Sequence, residues 1–248
     1  MILACCGLAF GFVLNLYIFS GIRVNNNDPL VIQKRILSVM FTSIATVSIS
    51  TALIDKSPLH LNFSGSRHLL AAVFLFSGPI LQKIKSRDMF YPFDLRFLRN
   101  YVVGPIVEEI VFRCCMSELL LYSQYQKPFI IIFTSLLFGI AHIHHHIVFP
   151  NALFAIVQFG YTFLFGLFAS FVYLDSPDER SFLIPVFIHS FCNYMELPDF
   201  ESAISDFVER KYSKILFIHS DSTLLSVWSI LLSIGHLPFL NQQSRLAV

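Results

Sequence analysis

The run GPIVEEIVFRCCM, residues 104–116, places two adjacent carboxylates and one cation inside an otherwise apolar stretch. The charged residues are Glu108, Glu109 and Arg113. A charged side chain near the middle of a bilayer costs about 2.5–3.5 kcal/mol on insertion scales, so such residues usually face a polar cavity and carry function. The run therefore predicts a buried helix that carries a functional polar site.

The composition is typical of a membrane protein. Of 248 residues, 55% are hydrophobic and only 13% are charged, and the mean hydropathy is +0.67. A span needs roughly 20 apolar residues, and candidate spans lie near 2–20, 36–54, 68–82, 101–122, 129–149, 152–174, 182–197 and 224–240. We expect an all-α, polytopic transmembrane bundle of about seven or eight helices with an intramembrane catalytic cavity, in a single integral membrane domain, 1–248.

Two of these stretches contain residues that interrupt helices. Gly78-Pro79 lies in 68–82 and Pro185 lies in 182–197, so both stretches could be tilted, broken or re-entrant. The first apolar run begins at Met1 without a basic n-region, which favours a retained span over a cleaved signal peptide.

The charge distribution predicts partners and orientation. A formal net charge of +1 argues against a nucleic-acid partner. The segment from Lys83 to Arg99 contains five basic and two acidic residues, so the positive-inside rule predicts that it is cytoplasmic. The run that holds Glu108 would then begin close to the cytoplasmic face.

The cysteines predict neither a disulfide framework nor a zinc knuckle, because all lie in apolar runs without CxxC spacing. They are Cys5, Cys6, Cys114, Cys115 and Cys192. Free cysteines of this kind usually pack in the interior. A nucleophilic role for Cys192 is disfavoured, since no activating partner is evident.

Helical spacing separates the roles of the two glutamates. Glu109 and Arg113 are four residues apart and share a face, whereas Glu108 is rotated by about 100°. We expect Glu109 to form a structural ion pair with Arg113 and Glu108 to accept a proton. Gly104-Pro105 suits a helix start, which would place Glu108 in the first turn.

The run FGIAHIHHH, residues 138–146, ends an apolar helix with four histidines. His142, His145 and His146 share a face, which suits a metal site or a proton relay. For His144 to His146 a solvated interfacial patch is the ordinary interpretation. His142 lies deepest in the apolar run and is the better functional candidate.

The run HSFCN places His189 and Asn193 four residues apart on one helical face. Both can donate hydrogen bonds to one small volume, as an oxyanion requires; either alone is more often an interhelical hydrogen bond. Taken together, the three runs suggest hydrolysis without a covalent intermediate. Glu108 would take a proton from water, and His142 would orient that water or relay the proton. His189 and Asn193 would then stabilise the oxyanion.

The three runs match, in order, the EExxxR, FxxxH and HxxxN patterns of type II CAAX prenyl endopeptidases. EEIVFR, FGIAH and HSFCN carry the match, and the longer runs with Arg99-Asn100 resemble the eukaryotic branch. The resemblance covers roughly residues 99–197, which would hold the catalytic helices. It implies Glu108 and His142 as the catalytic pair, His189 and Asn193 as transition-state stabilisers, and Glu109 and Arg113 as supporting residues.

The resemblance also implies a biological setting. Members are multi-pass proteases of the endoplasmic reticulum membrane that remove the last three residues of prenylated CAAX proteins such as Ras-like GTPases. Their substrates arrive from the cytoplasmic side, and no cofactor or metal is required. The prenyl chain would insert into the lipid bilayer beside the site.

Two alternatives belong to other classes. A zinc metalloprotease could use Glu108, His142 and His189 as ligands, although the chain contains no HExxH motif. A proton-coupled transporter or a membrane scaffold could also place glutamate, arginine and histidine inside the bilayer. Peptide cleavage and metal content distinguish the three.

Overall fold

The computed structural model describes residues 1–21, 24–61, 67–75, 77–86, 90–146, 152–175 and 180–195, all within one compact unit, Met1–Glu196. These residues form helices and no strand, which confirms the predicted all-α class for the part described. The helices are α1 (Ile2–Ile18), α2 (Pro29–Ile54), α3 (Arg67–Leu75), α4 (Ser77–Ser86), α5 (95–122), α6 (Lys127–His142), α7 (Ala152–Asp175) and α8 (Leu183–Met195).

The helices follow the predicted spans. The stretch 68–82 falls in the two helices α3 and α4, whereas α8 is one continuous helix that tolerates Pro185 near its start. Within the described residues, α2 and the part Ala155–Asp175 of α7 are long and apolar enough to cross a membrane. Helices α1, α6 and α8 are apolar but shorter. The predicted span 224–240, and with it a single domain over 1–248, lies outside the described residues.

The central helix is α5, which carries the two glutamates. It begins at Leu95, where the side chain of Asp94 accepts a hydrogen bond from the backbone N–H of Phe97 as an N-cap. The prediction that a helix starts at Gly104-Pro105 is therefore wrong. Glu108 lies well inside α5, so the positive end of the helix dipole does not stabilise its charge.

Two π-helical segments interrupt α5, at Arg99–Val103 and Ile110–Cys115. Single π turns inside α-helices occur often at functional sites. The first segment explains Gly104, because a Cβ atom there would lie 2.8 Å from the carbonyl oxygen of Arg99. The wide turn brings that carbonyl so close that only glycine fits, and its N–H bonds the same oxygen.

Small residues let α6 and α7 approach closely behind the site. A Cβ atom on Gly166 would lie 3.0 Å from the Cα of Ser135, and the hydroxyls of Thr134 and Ser170 are 3.0 Å apart. Close backbone approach and interhelical hydroxyl contacts are the usual means of helix association in membranes. The pair forms a rigid support for the end of α6 that carries His142.

A second buried carboxylate, Glu118, fixes the opposite end of α5. Its Oε1 accepts hydrogen bonds from Arg180 Nε at 2.7 Å and from Tyr173 Oη at 3.1 Å. His60 Nε2 lies 3.5 Å from Oε1, and Lys56 Nζ lies 3.9 Å from Oε2. Glu118 thus ties α5 to α7, to the segment after α2 and to the segment before α8.

Replacing Glu118 with alanine is expected to destabilise the protein by about 3–5 kcal/mol, because the largely buried guanidinium of Arg180 would lose this carboxylate. Thermal unfolding in detergent measures the loss. Glu118→Gln keeps an acceptor for Tyr173 and Arg180 and should cost less. An unfolding temperature for Glu118→Ala equal to that of the wild type would show that Glu118 is not a structural anchor.

Candidate active site

One carboxylate oxygen, Oε2 of Glu108, faces two imidazole rings. It lies 3.7 Å from Nε2 of His142 and 3.8 Å from Nε2 of His189. The oxygen is buried and has no hydrogen-bond partner among the described residues. Helices α5, α6 and α8 thus bring together three residues that are far apart in sequence, as the motifs predict. The gaps exceed a direct hydrogen bond and suit a bridging water.

The tautomer of His142 follows from its backbone contact. Its Nδ1 lies 2.7 Å from the carbonyl oxygen of Phe138, one turn earlier on α6. A carbonyl only accepts, so Nδ1 carries the proton and donates it. In the neutral ring, Nε2 is then an acceptor that points toward Glu108.

His189 is oriented by the second glutamate. Its Nδ1 lies 2.7 Å from Oε1 of Glu109, and both side chains are buried. Because a carboxylate accepts, Nδ1 of His189 is the donor, and Nε2 is directed at Glu108. Glu109 therefore does more than the ion pair predicted from spacing, since it also fixes the ring of a candidate catalytic histidine.

The predicted pair of Glu109 and Arg113 is present. Arg113 Nε lies 3.1 Å from Glu109 Oε2, and neither side chain is more than 1% exposed. The contact is ionic, because the guanidinium nitrogens make no aligned hydrogen bond. The guanidinium carbon instead lies 4.1 Å from the ring centre of Phe138 and 5.5 Å from that of Phe165. These aromatic faces stabilise the buried cation.

Asn193 lies one turn beyond His189 on α8 and reaches back to α5. Its Nδ2 donates a hydrogen bond of 3.0 Å to the carbonyl oxygen of Asn100. Pro105 lacks the backbone N–H that would otherwise reach this carbonyl across the π turn. One N–H of Asn193 therefore bonds a carbonyl that receives no N–H from Pro105, and the other N–H and the side-chain oxygen are not used in this bond.

Comparison with known proteins assigns this arrangement to a family. Residues 92–195 match the family model described as type II CAAX prenyl endopeptidase Rce1-like. The chain is 31% identical over 246 residues to a Schizosaccharomyces pombe protein named probable CAAX prenyl protease 2, covering 88% of this chain and 89% of that protein. The chain belongs to the Rce1-like family of type II CAAX prenyl endopeptidases. It is accordingly a peptidase.

Other relatives agree with this assignment. The human CAAX prenyl protease 2 is 29% identical over 241 residues, covering 79% of this chain and 70% of that protein. The protein of the same name from Arabidopsis thaliana is 37% identical over 109 residues, which cover 40% of this chain. No solved structure matches the chain. The segment that matches the Rce1-like model contains all six residues predicted for the site.

The remaining histidines are only partly described. His144 donates through Nδ1 to the carbonyl of Ala141, and its ring lies against Tyr17 at 5.5 Å between centres. The side chains of His145 and His146 lie outside the described residues, so their predicted face with His142 stays a prediction.

Among the described residues, no group of three histidine, cysteine, aspartate or glutamate side chains is arranged to hold a metal ion.

Glu118 was not predicted as functional, although a carboxylate inside the apolar run MSELLLY is the same pattern that singles out Glu108. The contact of Asn193 with the backbone carbonyl of Asn100 was also not predicted. In a π turn this carbonyl would accept from the residue five positions later, which is Pro105, so the contact can be inferred only once the π turn is known. Both residues support the Rce1-like site rather than forming it.

Proposed function

We propose that this Rce1-like endopeptidase removes the C-terminal tripeptide from prenylated CAAX proteins, such as Ras-like GTPases, by water attack activated by Glu108. The observation that carries the proposal is the convergence of two imidazole Nε2 atoms on the unpartnered Oε2 of Glu108. This arrangement supports a water bound between the carboxylate and the rings, at the distance a general base requires.

In this mechanism Glu108 takes a proton from the water while the water oxygen bonds to the carbonyl carbon of the prenylated cysteine. His142 accepts the second O–H of the water through Nε2 and so orients it. The proton held by Glu108 then passes to the leaving nitrogen as the C–N bond breaks. The products are a free tripeptide and a prenylated cysteine carboxylic acid, which carries the second proton of the water until it ionises.

His189 and Asn193 would stabilise the oxygen that becomes negative. Because Nδ1 of His189 donates to Glu109, its Nε2 can donate to an oxyanion only when the ring is an imidazolium. The oxyanion step in this mechanism therefore uses a protonated His189 whose Nδ1–H stays on the carboxylate of Glu109.

The substrate class fits the surroundings of the site. A prenylated cysteine inserts its lipid into the bilayer while the polar tripeptide stays near the headgroups, so a site near a membrane face can reach the scissile bond. We place this face on the cytoplasmic side, because the basic segment from Lys83 to Arg99 leads into α5. The family resemblance implies the endoplasmic reticulum as the membrane.

A pair of fluorogenic peptides tests the proposal. Membranes containing the protein are incubated with a farnesylated CAAX peptide and with the same peptide lacking the farnesyl group. We expect tripeptide release from the farnesylated peptide only, with membranes lacking the protein as the control. Absence of release from the farnesylated peptide would overturn the proposed substrate class.

The zinc rival is tested on the same peptide. If Glu108, His142 and His189 ligate zinc, the purified protein contains stoichiometric zinc, loses activity on chelation and regains it when zinc is restored. The proposed mechanism instead expects full activity after chelation. The effect of chelation distinguishes only the two mechanisms, because the zinc enzyme and the glutamate enzyme would cleave the same bond of the same peptide.

Asn193→Ala is expected to lower turnover by about 10²–10³-fold, the usual scale for one lost oxyanion donor. The turnover number on the farnesylated peptide measures the effect. Asn193 also binds the carbonyl of Asn100, so thermal stability must be compared in parallel. Ser190→Ala, on the same helix, serves as the matched control. Unchanged turnover in Asn193→Ala would remove this residue from the oxyanion site.

A further inference from the structure

Two arginines that the mechanism does not use share a single asparagine. Arg99 Nη1 donates to the backbone carbonyl of Asn26 at 2.7 Å, and Arg35 Nη1 donates to the side-chain Oδ1 of the same residue at 3.0 Å. Arg35 lies on α2, Arg99 lies in the first π segment of α5, and Asn26 lies between α1 and α2. Two guanidiniums from different helices are thereby held side by side.

The acceptors of this arginine pair are all neutral. Arg35 Nε donates to the hydroxyl of Ser20, and Arg99 Nε donates to the side-chain oxygen of Asn100. Among the described residues, no carboxylate forms an ion pair with either guanidinium, while the neighbouring Arg96 is paired with Asp94. Arg99 is only 8% exposed, and Nη2 of Arg35 is buried with no hydrogen-bond partner in the part of the chain that the structure describes.

Arg99 is buried and Arg35 is half-buried, and among the described residues these two like charges have only neutral hydrogen-bond acceptors. Each charge opposes the other, and a buried cation without an anion costs several kcal/mol. A guanidinium presents a planar fork of N–H donors that matches a carboxylate, and two such forks can clamp one carboxylate from both sides. The buried Nη2 of Arg35 is a donor still available for it.

The arginine pair lies at a suitable distance from the chemistry. Arg99 precedes Glu108 by nine residues on α5, which corresponds to an axial separation of at most about 13 Å. A tripeptide extended from the scissile carbonyl to its terminal carboxylate spans about 10 Å. On the other side, Arg35 lies over the ring of Tyr17, which contacts His144, two residues from His142.

We propose that Arg35 and Arg99 bind the C-terminal carboxylate of the tripeptide to be released. Binding this carboxylate would place the bond three residues before the C-terminus at the catalytic groups. The inference rests on the proposed function, because it names the group of that substrate that the pair recognises. Burial of Arg99 inside the bundle, on the helix that carries Glu108, favours a substrate carboxylate over a lipid phosphate at the periphery.

The test compares two farnesylated peptides that differ only in a C-terminal carboxylate or carboxamide. For the wild type, kcat/KM for the acid should exceed that for the amide by about 10- to 100-fold, the scale of a charge-assisted hydrogen-bonded pair. In Arg35→Met and in Arg99→Met this ratio should fall to nearly one, with cleavage of the amide retained. Arg35→Lys, which keeps the charge but not the fork, should give an intermediate ratio.

The matched control is Arg96→Met, which removes an exposed cation three residues before Arg99 and should leave the ratio unchanged. Measuring a ratio within each variant cancels differences in folding and abundance. Equal cleavage of acid and amide by the wild type would overturn the inference while leaving the proposed function intact. Cleavage of neither peptide would overturn the proposed function and this inference with it.

A merely structural pair gives a different pattern. Both peptides would then lose kcat/KM in equal proportion in Arg35→Met and Arg99→Met, with the ratio retained, and this would also overturn the inference. A lipid phosphate in the site is tested by reconstituting the wild type in zwitterionic and in anionic phospholipid vesicles. A lipid phosphate would raise the cleavage rates of both peptides together in anionic vesicles. The ratio of acid to amide cleavage would then stay the same in the wild type, in Arg35→Met and in Arg99→Met, and the site would be assigned to the lipid.

Discussion

Glu108→Gln is expected to reduce release of the tripeptide by about 10²–10⁴-fold, the range that a positioned general base contributes. The amide has nearly the shape of the carboxylate but cannot take the proton from water. Turnover of the farnesylated CAAX peptide, normalised to the amount of folded protein, measures the loss. Stability should not fall, because Oε2 of Glu108 has no hydrogen-bond partner to lose and the substitution removes a buried charge.

The matched control is Glu118→Gln, the same substitution at the other buried glutamate of α5. Its carboxylate is hydrogen-bonded to Arg180 and Tyr173 rather than directed at the imidazoles. We expect lower thermal stability with near-normal turnover in the folded fraction, the reverse of the Glu108→Gln pattern. Near-normal turnover in Glu108→Gln would exclude Glu108 as the base, whatever the stability of that variant.

The helical class of the described residues was largely predictable, because long apolar runs form helices in which every backbone N–H and C=O finds an internal partner. The spacing of Glu109 and Arg113 likewise predicts their ion pair, since four residues make one turn. These inferences depend only on local sequence. They therefore hold even though α5 begins at Leu95, after the N-cap Asp94, rather than at Gly104.

Contacts between helices were not predictable in the same way. Nothing in the spacing of α5 shows that Glu109 binds His189 on α8, because the two are 80 residues apart and their meeting depends on how the helices pack. The bond from Asn193 to Asn100 has the same origin, with the added need for a π turn and a proline. The motifs identify which residues meet, and packing decides which oxygen faces which nitrogen.

Glu109→Gln is expected to lower turnover by about 10²–10⁴-fold, the range seen when a carboxylate that orients a histidine or a metal ligand is removed. The amide oxygen can still accept from Nδ1 of His189, so the ring can keep its place. It cannot stabilise an imidazolium, which the oxyanion step needs. Glu109 is thus a positioning residue, and the change should appear in kcat rather than in KM.

The same substitution breaks a buried ion pair, so stability must be separated from catalysis. Glu109→Gln and Arg113→Met each leave one uncompensated buried charge and should each cost about 3–5 kcal/mol. The double variant removes both charges and should recover much of the stability. It should not recover turnover, because His189 still faces an amide. Recovery of kcat together with stability in the double variant would show that Glu109 acts only as the partner of Arg113, as helical spacing alone suggests.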